Sequence, residues 1–131
     1  MGKYGETAVQ ATRIIREGFC SDPVDAWQQA AARVFSQQPS SQIKSCPKST
    51  FLSLCEAGLV AGVEAGEYTR SKYNKRYALT AFQALSTNPT LRQDHKKLWM
   101  ASCGEVNKKE NSQLDVVCSL WDAGLLDKKT Y

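Results

Sequence analysis

Leu52-Ser-Leu-Cys-Glu-Ala-Gly-Leu-Val60 and Cys118-Ser-Leu-Trp-Asp-Ala-Gly-Leu-Leu126 read almost alike, 66 residues apart. Each carries apolar residues at helical spacing and then a glycine. Glycine ends helices at the first position beyond them, because its backbone enters the left-handed region without steric cost. Each string is therefore the last turns of an amphipathic helix and its stop. Reading back from the first stop, Ser45-Cys46-Pro47 opens a helix over 47–57 with proline at its first position and the stripe Phe51, Leu54, Cys55. Reading back from the second, Asn111-Ser112 opens a helix over 112–123 with the stripe Leu114, Val117, Cys118, Trp121.

The rest of the chain has the same grammar. A first helix, 3–17, puts Ala8, Ala11 and Ile15 on one face. A second, 23–35, starts at the Asp22-Pro23 cap and carries Trp27, Ala30, Ala31 and Val34. In the second half, 71–86 carries Ala78, Ala81, Phe82 and Leu85. Asn88-Pro89 then repeats the cap before a helix over 90–101 with Leu91, His95, Leu98 and Trp99. Period-two patterning is almost absent, so the fold class expected is all-α: one compact six-helix domain over 1–131. Two pseudo-repeated three-helix units, 3–60 and 72–126, would share its core. The competing reading is that helices of similar amphipathicity look alike by chance. The polar stretches 36–46 and 102–111 join helices within the halves, and 59–70 joins the halves.

Size and composition agree with one domain. The chain has 131 residues, 42% of them apolar and 23% charged, and only twelve are glycine or proline, which fits neither a disordered nor a fibrous protein. No apolar run approaches the roughly 20 residues of a membrane helix. Met1 to Glu6 lacks the apolar stretch of an export signal, and Glu6 stands where a myristoylation signal has Ser or Thr. The five cysteines, Cys20, Cys46, Cys55, Cys103 and Cys118, are odd in number and nowhere spaced C-x-x-C. With His95 as the one histidine, they point to free thiols in a reducing cytoplasm, with no metal and no cofactor.

Enzyme chemistry finds little support. Cys46 sits at a helix start between Lys44 and Lys48, where a thiolate is favoured. Its one candidate base, His95, falls on an apolar stripe, where a partly buried structural histidine is the plainer reading. No paired carboxylates, di-iron motif or phosphate loop appears; Gly58, Gly62 and Gly66 neither follow a strand nor precede Lys-Ser/Thr.

Charge offers more. Residues 1–66 hold equal numbers of basic and acidic residues, whereas 67–131 hold eleven basic and seven acidic. Two segments concentrate it. One loads Lys44, Ser45, Lys48 and Ser49 at a helix start, where free backbone N–H groups favour anions. The other, Tyr68-Thr-Arg-Ser-Lys-Tyr-Asn-Lys-Arg-Tyr77, alternates basic and aromatic residues. Arg70, Lys72, Lys75 and Arg76 are candidate phosphate contacts, with Tyr68 and Tyr73 as candidate stacking platforms. A solvated helix face is the bland alternative. Lys108 and Lys109, in the other polar loop, are equally basic and make the natural comparison for Lys72 and Arg76. The order of helix, turn and basic helix is also loosely that of a helix-turn-helix, although its connection is longer than usual.

Three strings carry a resemblance: Lys3-Tyr-Gly-Glu-Thr-Ala8, Cys46 to Val60, and Tyr68 to Leu79. They resemble a group of small uncharacterised bacterial proteins, over nearly the whole chain. The resemblance implies a stand-alone bacterial protein and brings no activity, cofactor or catalytic residue. The function expected is a non-catalytic binding module for an anionic partner, nucleic acid being the most natural, with no membrane partner. A protein-interaction module, homodimeric or with another protein, is the alternative, since three tryptophans and five tyrosines can furnish an aromatic interface. A thiol enzyme using Cys46 is the distant third.

Overall fold

A computed structural model describes residues 1–104 and 108–127; residues 105–107, inside the second polar stretch, and 128–131 lie outside the description. The described chain is all-helical. It comprises α1 (Lys3–Arg16), α2 (Pro23–Val34), α3 (Pro39–Gln42), α4 (Ser45–Glu56), α5 (Lys72–Thr87), a 3₁₀ helix (Pro89–Gln93), α6 (His95–Cys103) and α7 (Gln113–Asp122). Six of these are the long helices expected from the stripes.

The two opening strings end in the same turn. Gly58 and Gly124 take φ of +76° and +72°. Leu59 N donates to Leu54 O at 3.1 Å, and Leu125 N donates to Leu120 O at 2.9 Å. This is the double-bonded helix stop in which glycine relieves the last carbonyls. Beyond the turns the strings meet each other: Val60 and Leu126 form an isolated antiparallel bridge. Ala61 N donates to Leu125 O at 2.8 Å, and Asp127 N donates to Leu59 O at 2.6 Å. Segment 59–63 is thus tied into the fold, with Leu59, Val60 and Val63 buried.

Packing obeys the stripes. α1 lies on α2 and α7, α5 lies on α6, α4 and α7, and α4 and α7 touch. Leu54, Leu120, Phe51, Phe82, Leu85, Leu98 and Leu114 are excluded from water, and Trp27 packs against Phe51 with the rings tilted by 32° and their centroids 5.4 Å apart. The α1–α7 contact is close because Gly5 has no side chain. A Cβ there would lie 1.9 Å from Ser119 Oγ. The approach lets Asp115 on α7 accept from Gly2 N at 2.8 Å and Gly5 N at 2.7 Å, satisfying orphan donors of α1 with a carboxylate from another helix.

Three expectations change. The single helix over 90–101 is broken, because the Asp94 side chain accepts from Lys97 N at 3.1 Å and caps α6 afresh. His95 therefore opens α6 and is exposed, rather than lying on an apolar face. Pro47 is the third residue of α4, not the first, which costs nothing because first-turn N–H groups have no intrahelical acceptor. The stretch 36–46 contains the short helix α3.

Candidate anion-binding face

The two basic segments flank opposite ends of α4. Lys44 and Ser45 stand at its start, and the second segment is bound to its last residue, Glu56. Eleven residues at 1.5 Å separate the ends by about 16 Å. Lys44 places its ammonium 5.2 Å from the centre of the Tyr4 ring, and Tyr4 Oη donates to Ser41 O at 3.0 Å, so this end belongs to the α1 side. Ser45 is exposed, Lys48 and Ser49 are half-buried, and Ser49 O accepts from Ser53 Oγ at 2.7 Å. The Lys44 side chain makes no cap hydrogen bond to the start of α4. The structure does not gather the two sets around a single small anion.

Within the second segment, two of the expected contacts, Lys75 and Tyr68, serve the fold. Glu56, with a side chain only 8% exposed, accepts from Lys75 Nζ at 2.8 Å through one oxygen. Its other oxygen accepts from Tyr68 N at 2.7 Å and Thr69 N at 3.1 Å. Burial alone would raise this carboxyl; the Lys75 hydrogen bond, the Thr69 and Tyr68 amides and the Lys75 charge outweigh it and hold Glu56 below the usual carboxylate range. Glu56 is the latch that fixes the connection between the halves. Lys75 is spent on it, and Tyr68 points its hydroxyl at Glu64 O, 2.6 Å away. Beside the latch is a cleft of about 650 Å³ lined by Glu56, Glu67, Tyr68, Thr69, Arg70 and Lys75. Its two carboxylates offset its two cations, so it offers an anion no net charge. Lys72 and Arg70 are exposed.

The remaining residues form a different cluster, with one member that the sequence places in another loop. Tyr73 is 64% exposed. The Arg76 guanidinium lies 5.7 Å from its ring centre and the Lys108 ammonium 5.4 Å. Lys108 thus belongs to the same face as Arg76 and is no independent comparison for it. It arrives there because Trp99 Nε1 donates to Lys108 O at 2.8 Å, pinning the 108–110 segment against α6. Trp99 in turn meets the buried Tyr77 edge-on at 5.2 Å. Next to Tyr73 the same segment and α6 enclose a groove of about 540 Å³ lined by His95, Lys96, Trp99, Met100, Lys108, Lys109 and Glu110. Glu110 is engaged elsewhere, accepting from Leu114 N at 3.0 Å at the start of α7. The groove therefore has an apolar floor, with Met100 47% exposed, and a rim of three lysines. No motif announces this groove; a tryptophan and methionine interleaved with Lys96, Lys97 and Lys108 was the available signal.

Thiol chemistry gains nothing. No hydrogen bond joins Cys46 to His95 among the described residues. None of the five cysteines is in a disulfide. Burial raises Cys55, and burial followed by Asp122, Asp115 and Glu110 raises Cys118 to about 12, so both stay protonated at neutral pH. Among the described residues no His, Cys, Asp and Glu cluster could hold a metal ion. No described helix is long and apolar enough to cross a membrane.

No curated protein and no solved structure matches the chain. One family does match, over residues 1–127, and the chain belongs to it: the family of unknown function DUF6979.

Proposed function

We propose that this is a non-catalytic binding protein for an anionic partner, nucleic acid, engaged through the face of Tyr73, Arg76 and Lys108. One observation carries the reading: an aromatic ring left 64% exposed on a helix, with two cations within 6 Å of its centre. Exposed rings beside Lys and Arg are the arrangement that stacks bases while neutralising phosphates. The lysine rim of the neighbouring groove extends the positive surface. The same groove, with Met100 exposed, favours a second reading, a protein-interaction surface. Salt dependence separates them, since each neutralised phosphate contributes about −0.7 to −0.9 to the log–log salt slope and an apolar interface contributes little. Replacing Arg76 and Lys108 together by Gln is expected to reduce the slope for an oligonucleotide by about one to two. Replacing Lys44 and Lys48, at the other end of α4, is expected to leave it unchanged. No binding to single- or double-stranded oligonucleotides at about 50 mM salt removes the nucleic-acid reading.

A further inference from the structure

We infer that the groove between α6 and residues 108–110 seats an unstacked nucleobase, so that the ligand of this face is single-stranded nucleic acid rather than duplex. The inference rests on the anionic-partner reading above and names its ligand. The groove and the Tyr73 platform are one surface, because Lys108 belongs to both. Its ammonium lies by the Tyr73 ring, its carbonyl accepts from Trp99 Nε1, and it lines the groove. A ligand passing Lys108 meets an aromatic ring on one side and an apolar recess on the other. Between them it meets Lys108, and Lys96 and Lys109 line the recess itself. A single strand has that alternation of flat apolar bases and phosphates. A duplex keeps its base faces stacked and offers only phosphates and base edges, which neither a flat ring nor an apolar recess can take up. The volume of about 540 Å³ lies in the range of clefts that take small organic ligands, about 300–1,000 Å³, and holds a base with its sugar. An acidic protein segment would answer the lysine rim but leaves the flat, cation-flanked Tyr73 without a matching partner.

The test is a set of anisotropy titrations at about 50 mM salt. The probes are a mixed-sequence single strand of about twelve nucleotides, within the usual site sizes, the same strand with abasic sites throughout, its duplex, inorganic polyphosphate and poly-glutamate. The natural single strand is expected to bind at least about tenfold more tightly than the abasic strand, as the loss of one stacked base implies. Met100→Gln, in the groove floor, is expected to weaken the natural strand about fivefold and leave the abasic strand unchanged. Tyr73→Ala is expected to weaken the natural strand, with Tyr73→Phe restoring it. Circular dichroism checks that each variant is folded, and both positions are exposed. If the abasic strand, polyphosphate or the duplex binds as tightly as the natural strand, the inference is overturned while the anionic-partner reading stands. If poly-glutamate matches the natural strand, the groove is a seat for acidic protein segments and the inference is likewise overturned. If no probe binds, the broader reading falls and this one with it.

Discussion

Glu56 and Asp122 hold the same place in the two matching strings, one residue before the shared Ala-Gly-Leu, yet they do different work. Glu56 is nearly buried and gathers Lys75 and the Tyr68 and Thr69 amides. Asp122 is 59% exposed and pairs with Arg92 at 3.2 Å, itself 37% exposed. The difference lies in the path of the chain beyond each turn. After Gly58 the chain must cross to α5, and the crossing packs over the carboxylate. After Gly124 the chain runs only to the bridge with Val60 before the described residues end. A repeated string thus fixes a helix and its stop, while the energetic weight of its one charged residue is set by its cover.

Substitutions in the apolar part of the strings test the comparison most severely. Leu54 and Leu120 are both fully buried and both accept the helix-stop hydrogen bond. Each change to Ala is expected to cost about 2–5 kcal/mol in chemical denaturation. If the sites are equivalent, the two costs agree within about 1 kcal/mol; a strongly one-sided result breaks the equivalence and leaves a likeness of sequence only. The α1–α7 contact has no counterpart glycine in α5, where Asn74 stands after Lys72-Tyr73 as Gly5 stands after Lys3-Tyr4. Gly5→Ala is therefore expected to destabilise by about 1–3 kcal/mol through overpacking against Ser119.

Glu56→Gln comes next. It removes the charge from a carboxylate holding three donors and is expected to cost about 1–3 kcal/mol. The pH dependence has a definite sign. A carboxyl held low in the folded state stabilises fully above its unfolded value, about 4.3, and loses that contribution as pH falls through the lower folded value. Wild-type protein should therefore lose stability more steeply than the Gln variant in acid unfolding below about pH 4.3. Parallel profiles would show that Glu56 is not a latch.

These cases show what is legible in the sequence. The helices and their stops are local matters of i, i+3, i+4 spacing, Asp22-Pro23, Gly58 and Gly124, and they read directly. The break at Asp94 does not, because Asp followed by His continues a helical pattern as readily as it caps one. The candidate face is legible only in half. Tyr73 and Arg76 are neighbours on one helix, but Lys108 reaches them through an indole hydrogen bond from Trp99. Lys75 escapes the sequence for the same reason, since its partner Glu56 lies 19 residues back. A lone carboxylate inside an otherwise apolar string is the clue that it needs a cation.

Asp122→Asn should show the smallest effect, and its smallness is informative. Both members of the Arg92–Asp122 pair are more than a third exposed, so water screens the attraction and the side chains lose entropy in holding it. Such pairs contribute about 0–1 kcal/mol. The expected cost is below about 0.5 kcal/mol, with little change in the acid profile and further shrinkage in about 0.5 M salt as the screening length shortens. The paired experiment at Glu56 should be insensitive to that salt, because its carboxylate is covered by the 66–71 connection. Equal salt sensitivity at the two positions would mean that Glu56 is as solvated as Asp122, and the contrast between the two turns would disappear. The Asp122 carboxylate has one further electrostatic effect, which leaves stability at neutral pH untouched because the Cys118 thiol is protonated there in the folded and the unfolded chain alike. Asp122 helps keep the buried Cys118 thiol protonated, so removing its charge should slightly increase the reactivity of that thiol toward an alkylating reagent in the native protein.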